Sequence, residues 1–367
     1  MIALALNSGS SSLKFGLFRV QGTEAQPLLQ GQLDALSELP GRLTAADAPS
    51  PEAVGHRIVH GGPALRTHAV LHAAVLQQIK AAVPLAPLHL PAALEVIGQS
   101  MAMFPGLPQV VCVDTAFHNT LREEARVLPI PRFLQAQGFE RYGFHGLSCE
   151  SILHQLARDE PNGLPPGILI AHLGHGASVS AVRNGQSIDT SMGLTPTGGL
   201  IMGTRSGDMD PGVLIHLLHQ LGGDPTALAT MLEQQSGLLG ISGLSSDMRR
   251  LQLAAATHAD ARLAVHMFCI SVAKQLAAMF TVLDTVDLLV FSGGIGENDS
   301  AARQRICAAL ACLGVKLDAD RNAHGQGVIS CASSRCAVRV LAAQEEAQIA
   351  RHTAALLQKA PVSTASL

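Results

Sequence analysis

The chain opens on an apolar strand, Ile2 to Leu6, that runs straight into Asn7-Ser8-Gly9-Ser10-Ser11-Ser12-Leu13-Lys14 and back out through Phe15, Leu17 and Phe18. Such a layout folds as a hairpin. Small turn residues let the backbone aim its N–H groups at one point, the hydroxyls add donors, and Lys14 adds a compact positive charge. It reads as a phosphate-holding turn. The pattern returns at Ile168-Leu169-Ile170-Ala171, followed by His172-Leu173-Gly174-His175-Gly176-Ala177-Ser178 and an outgoing apolar run that ends on the hairpin dipeptide Asn184-Gly185. A weaker third instance joins Leu288-Leu289-Val290-Phe291 to Ser292-Gly293-Gly294-Ile295-Gly296-Glu297-Asn298, read as a glycine-rich turn ahead of a helix starting near Ala301. One such turn is an ordinary surface feature. Three of them predict a nucleotide gripped from several sides, with the first two hairpins as halves of a duplicated architecture.

A length of 367 residues exceeds what one core fills, so two domains are expected. Apolar residues make up 47% and charged residues 14%, the balance of a globular enzyme, and with 3% aromatics and no Trp the core is aliphatic. A net charge of −3 with no run of Lys or Arg lacks the electrostatic footprint of a nucleic-acid binder and points to a small substrate. No stretch approaches about eighteen uninterrupted apolar residues, and no charged leader precedes the first strand, so the expectation is a cytoplasmic protein without a membrane partner. Seven cysteines without a C-x-x-C pair read as reduced thiols. His68/His72 and His216/His219 have helical spacing, but neither pair has a nearby carboxylate or third ligand of the expected sort, so neither predicts a metal site.

Strands alternate with helices, which makes the class α/β. Residues 21–55 show little periodicity and read as a variable excursion. Beyond them the pattern predicts a short strand at 56–60, a helix over 70–81, a Pro-punctuated turn and a helix to Met103, then a buried strand 110–113 ending on Asp114. The second half predicts a helix from Pro211, long helices over 249–284, a strand at 288–291, a helix over 300–312, a strand at 338–341 and a final helix over 345–358.

Four polar residues sit where a site would be built. Arg57 lies where a strand meets Gly61 and Gly62, Asp114 closes a strand, His145 is framed by Gly143 and Gly146, and Arg205 by Gly203 and Gly207. His89, by contrast, reads as a hydrogen-bonded core histidine. Two arginines, a histidine and an aspartate around nucleotide phosphates suit phosphoryl transfer, which is mainly positioning and charge neutralisation.

These segments, with Ala86 to His89, Asp114 to His118, Met202 to Arg205 and Gln344-Glu345-Glu346, resemble the acetate and propionate kinase family nearly end to end, within the sugar kinase, heat-shock chaperone and actin superfamily. The resemblance implies a two-domain, duplicated ribonuclease H-like (actin-like ATPase) fold with an interdomain active-site cleft. It implies residues 1–117 plus 348–367 as the N-terminal domain, and 118–347 as the C-terminal nucleotide-binding and dimerisation domain. The activity implied is reversible transfer of the ATP γ-phosphoryl group to acetate, giving acetyl phosphate and ADP, with Mg²⁺ (or Mn²⁺) and a homodimer.

Carried over by position, Asp114, His145, Arg205 and Arg57 are the catalytic residues, and Arg57, Val59, Leu88, Phe144 and Pro196 hold the carboxylate substrate. Asn7 and Glu345 are the metal-site residues. ATP binding falls to Ser10, Ser12 and Lys14, to His172, Leu173, Gly174, His175 and Gly176, to Asp247, Met248 and Arg249, and to Gly294, Ile295, Gly296, Glu297 and Asn298. Three departures stand out: His175 replaces the family's usual Asn, Leu194 its usual Phe, and the 21–55 segment is short. A propionate or butyrate kinase is the alternative within the family, with Val59 keeping the pocket small. An actin- or chaperone-like ATPase is the alternative of another class, and it leaves Arg57, Arg205 and His145 without a role.

Overall fold

A computed structural model describes residues 1–9 and 13–359. Its twelve strands form two six-stranded sheets. The first holds β1 (Ile2–Ser8), β2 (Leu13–Gln21), β3 (Glu24–Leu33), β4 (Ala53–Ile58), β5 (Ala69–Val70) and β6 (Gln109–Val113), in the order β3-β2-β1-β4-β6-β5. The second holds β7 (Gly167–Leu173), β8 (Ala177–Arg183), β9 (Gln186–Thr190), β10 (Leu288–Ser292), β11 (Gly327–Val328) and β12 (Ala337–Val340), in the order β9-β8-β7-β10-β12-β11. In each sheet three antiparallel strands lead into two parallel neighbours, and a short antiparallel strand closes the far edge. The two orders are the same. This is the ribonuclease H-like unit in duplicate, an α/β fold of two domains with a cleft between them.

The central strands form because they are apolar on both faces. β6 and β10 are buried at every residue, and β1 and β7 nearly so, as strands covered by helices on two sides must be. The turn Asn184-Gly185 has φ of 51° and 78°, the left-handed pair that a two-residue hairpin needs.

Three sequence expectations need correction. Residues 21–55 are no mere excursion. They supply β3, whose exposed, Gln-rich edge tolerates Pro27 beside a register shift, and the helix Leu39–Ala45. The helix expected from residue 70 starts at Ala73, because Ala69 and Val70 pair with β6 as β5. The glycine-rich segment after β10 is itself helical, Gly293–Asn298. Gly293 turns the chain in one residue at φ +77°, where a Cβ would lie 2.7 Å from Leu173 O, and the Glu297 carboxylate accepts the Gly293 N–H.

Two helices join the halves. Gly146–Asp159 leads from the first sheet toward β7, and Glu345–Lys359 returns from β12 to pack across β1, β2 and β4. Gly55 of β4 permits that return, since a Cβ there would meet Thr353 Oγ1 at 2.2 Å and Ile349 Cγ2 at 2.6 Å. Among the described residues no helix is long and apolar enough to cross a membrane.

Candidate active site

Residues at the C-terminal ends of β1, β4, β6, β7 and β10 line one cavity of about 510 Å³ between the sheets. Strand ends are where an open α/β sheet leaves backbone and side chains free to meet a ligand. The first sheet's side contributes Lys14, Arg57, Val59, Asp114 and His89. The second contributes Phe144, His145, His172, Pro196, Arg205 and Glu297, with the backbone of Gly174 to Gly176 and Gly294. Glu345 and Glu346, the first residues of the returning helix, close the floor.

A polar chain runs along the first-sheet wall. Arg57 donates to Asp114 Oδ2 from NH2 at 2.6 Å and from Nε at 3.1 Å, and from NH1 to Asn7 Oδ1 at 3.2 Å. Asn7 Nδ2 then donates to Glu345 Oε2 at 2.9 Å and Glu346 Oε1 at 2.8 Å. Burial by itself would lower the Arg57 guanidinium, but Asp114 and Glu345 outweigh it and hold the group above its usual range. Burial pushes the wholly enclosed Asp114 carboxyl up while Arg57 pulls it down. Since a guanidinium keeps its proton, the 2.6 Å contact holds the two as an ion pair. Burial also works against the charge on Glu345, yet Arg57, His172 and Asn7 bring its carboxyl below the usual range.

The opposite wall carries Arg205, buried at 9% exposure. Its hydrogen bonds go to Pro196 O (3.2 Å), Met202 Sδ (3.7 Å) and His89 Nε2 (3.1 Å), none of them a carboxylate. His145 stands beside it. Its own backbone is left-handed (φ 67°), its Nδ1 is 2.9 Å from Ser178 Oγ, and its ring stacks on His172 at 4.3 Å. Burial, His172 and the two arginines push His145 well below its ordinary value, so it is neutral at pH 7. Gly176 lies between the two groups: a Cβ there would be 3.2 Å from His145 Nε2 and 3.3 Å from Arg205 NH1.

A second cavity of about 790 Å³ abuts the first, sharing Gly174, His175 and Gly294. Asp247, Met248, Arg249, Ile295 and Asn298 line it. A small anionic group in the first cavity and a larger, partly apolar body in the second would therefore be joined past the glycines.

The sequence profile of the Acetokinase family matches residues 43–351. The chain belongs to that family. Acetate kinase of Nitrobacter hamburgensis is 39% identical over 390 residues, 96% of each chain. Propionate kinase of Yersinia enterocolitica is 41% identical over 379 residues, 95% of this chain and 93% of that one. The crystal structure of a propionate kinase from Francisella tularensis superposes with a TM-score of 0.88 at 37% identity, over 97% of this chain and 99% of that one.

Most residues carried over from the acetokinase resemblance thus meet at these two cavities, but not all of them. Leu88 is 38% exposed in a turn and lines neither cavity. The Leu173 side chain belongs to the core, and Gly296 packs on the backbone of Phe291 and Ala171, so neither lines a cavity. Asn7 stands behind the wall, holding Glu345. Ser10 and Ser12 lie outside the described residues. His175 lines both cavities, and burial together with Arg205 pushes its ring below the ordinary value.

Two contributors escaped the sequence. His89 is no sealed core residue; it lines the cavity and accepts from Arg205. Glu346 shares Asn7 with Glu345, and a doubled carboxylate at a helix start was the available signal. The expectation that His68 has no carboxylate nearby also fails. His72 directly precedes the helix Ala73–Ala81 while His68 precedes β5, so they do not share a helical face, and His68 instead meets Glu150 and His352 from distant helices. His216 and His219 both ride on the exposed face of Pro211–Gln220.

Proposed function

We propose that the chain is an acetate kinase, moving the γ-phosphoryl group of ATP reversibly onto the carboxylate of acetate. The observation that carries this reading is Arg205: a buried guanidinium with no carboxylate hydrogen-bonded to it among the described residues, facing a cavity that also holds Arg57 and Lys14, is built for a polyanion. The nucleoside belongs in the larger cavity, its phosphates passing Gly174 to Gly176 and Gly294, and its terminal phosphate lying between Arg205, His145 and Lys14.

Acetate pairs with Arg57 and turns its methyl group to Val59, Phe144 and Pro196. No base is required, because acetate is already ionised at neutral pH. Asp114 therefore acts on Arg57, fixing the plane of the guanidinium. A carboxylate oxygen attacks the terminal phosphorus in line as the bond to the β,γ-bridging oxygen breaks and ADP leaves with that oxygen, while Arg205 and the ring nitrogen of His145 take up equatorial charge, each such preorganised donor being worth roughly 3 to 4 kcal/mol. Mg²⁺ fits the donor set: Glu345 and Glu346 offer the hard oxygens it takes, whereas Asn7 Oδ1 is occupied by Arg57, so the amide orients the carboxylates. When bound, the metal supplies neutralisation of phosphate charge, and Mn²⁺ shares the preference for oxygen.

We take residues 1–117 with 348–367 as one domain and residues 118–347 as the other, a division that the separation of β1–β6 from β7–β12 supports. A cytoplasmic homodimer accompanies this reading, with Val213, Ile215, Leu263 and Met267 offering exposed apolar surface.

The test is trapping of the acyl phosphate with hydroxylamine across acetate, propionate and butyrate, with Arg57→Ala and Arg205→Ala alongside. Acetate is expected to be best, and each variant to lose turnover by about 100-fold or more. Full turnover in both variants, or ATP hydrolysis indifferent to acetate, would overturn the assignment.

A further inference from the structure

Three elements deliver the cavity's key groups, and they meet again beside the edge strand β5, outside the cavity lining. His145 precedes the helix Gly146–Asp159, whose Leu147 N–H donates to Asp114 Oδ1 at 3.3 Å. Glu345 begins the returning helix. Val113, the residue before Asp114, donates its N–H to His68 Nδ1 at 3.0 Å. One turn into the first helix stands Glu150, with Oε2 2.8 Å from His352 Nε2 on the returning helix and Oε1 3.5 Å from His68 Nε2. The two imidazoles stack at 3.9 Å over this one carboxylate.

The ligand atoms of His68, Glu150 and His352 lie within 4.8 Å of one another, close enough to suggest a cation site. The backbone argues against it. Because Val113 N–H occupies Nδ1, His68 carries its proton on Nε2, where a metal would need the lone pair. The His352 contact at 2.8 Å likewise needs a proton between nitrogen and carboxylate. Both rings are thus donors to Glu150. Burial alone would raise that carboxyl, but the bonds and charge from His352 and His68 hold it at about 2.

We propose that Glu150 is a positioning residue for phosphoryl transfer: by bridging His68 and His352 it ties together the three segments that present Asp114, His145 and Glu345 to the cavity. This rests on the placing of those three groups at the reacting centre. The nucleoside cavity is lined by other elements, so loosening the bridge should disturb transfer and leave nucleotide affinity in place.

The experiment compares Glu150→Gln, which faces an N–H against one imidazole donor, with His352→Gln, which leaves the His68 bond intact. The readouts are kcat, the dissociation constant for ADP by calorimetry and the melting temperature. Glu150→Gln is expected to lower kcat about 10-fold, since small misplacements of reacting groups are costly, with ADP affinity within about twofold of the parent. His352→Gln should fall between the two. Parental kcat in Glu150→Gln, or kcat and ADP affinity falling together in step with the melting temperature, would overturn the proposal. Arg57→Ala and Arg205→Ala, run in parallel, test the site itself: full activity there would remove the premise whatever Glu150→Gln does.

Discussion

Arg205 NH2 lies 3.1 Å from His89 Nε2, and the two residues come from opposite sides of the cleft. His89 directly precedes the helix Leu90–Met103, which packs on β4 of the first sheet, while Arg205 sits in the loop that follows β9 of the second. A guanidinium donates and cannot accept, so His89 must offer a lone pair. Burial, Arg205 and Arg57 hold its ring at about 3, which keeps that lone pair available at every working pH.

Removing the acceptor should release Arg205 from its orientation. His89→Ala is expected to lower kcat about 10-fold with little change in acetate KM, and His89→Gln, which can still accept, to recover much of the loss. Steady-state kinetics on the pair decides it, and equal loss in both variants would show that the contact does not orient Arg205.

Gly176 offers a steric test of the same wall. A methyl group there would crowd His145 Nε2 and Arg205 NH1, at 3.2 and 3.3 Å. Gly176→Ala should cost about 10-fold or more in kcat while the melting temperature falls only slightly, since the crowded atoms are the tips of two side chains at the cavity wall. Normal turnover would mean the phosphoryl group passes elsewhere.

Val59, 5% exposed at the cavity wall, limits the acyl chain. Val59→Ala should shift kcat/KM toward propionate relative to acetate by about 10-fold, within the range a methylene is worth. An unchanged ratio would place the methyl group of acetate against other residues.

Asn7 holds Glu345 and Glu346 together while accepting from Arg57. Asn7→Ala leaves two carboxylates without their shared donor, and the Mg²⁺ concentration giving half-maximal rate should rise about 10-fold. A Mg²⁺ titration matching the parent would detach Asn7 from the metal site.

Acid should destabilise the fold well before the carboxylates are protonated. His56, His60 and His118 are pushed down to about 4, and His89 to about 3, chiefly by burial, from an ordinary 6.5. Between those values the unfolded chain binds protons that the native one refuses, so stability is full above pH 6.5 and is lost as pH falls toward 4. Four such groups give a slope of up to about 5 kcal/mol per pH unit, opposed by the raised carboxyls of Asp114 and Asp189. Urea midpoints at pH 7, 6 and 5 should fall in that order, and a flat series would contradict the buried neutral histidines.

The two hairpins were legible because their signals are local. Strands buried on both faces are continuous apolar runs, and the turns between them need small residues wherever the backbone approaches a neighbour. β3 was not legible, since an edge strand facing water has no apolar face to alternate. The helix Gly293–Asn298 was hidden by its glycines, whose weak helix propensity is overridden by the Glu297 carboxylate that caps Gly293 N–H.

From the order of residues alone came the duplicated strand-and-turn plan, the aliphatic core and the polar residues standing at strand ends, all of them consequences of burial period and turn chemistry within a few neighbouring positions. Which of those residues face one another was decided only in three dimensions. Arg205 meets His89, Arg57 links Asp114 to Asn7, and Glu150 joins His68 to His352, because two sheets and a returning helix bring far-separated segments within hydrogen-bonding reach. Such contacts depend on the packing of whole elements, and no local pattern encodes them.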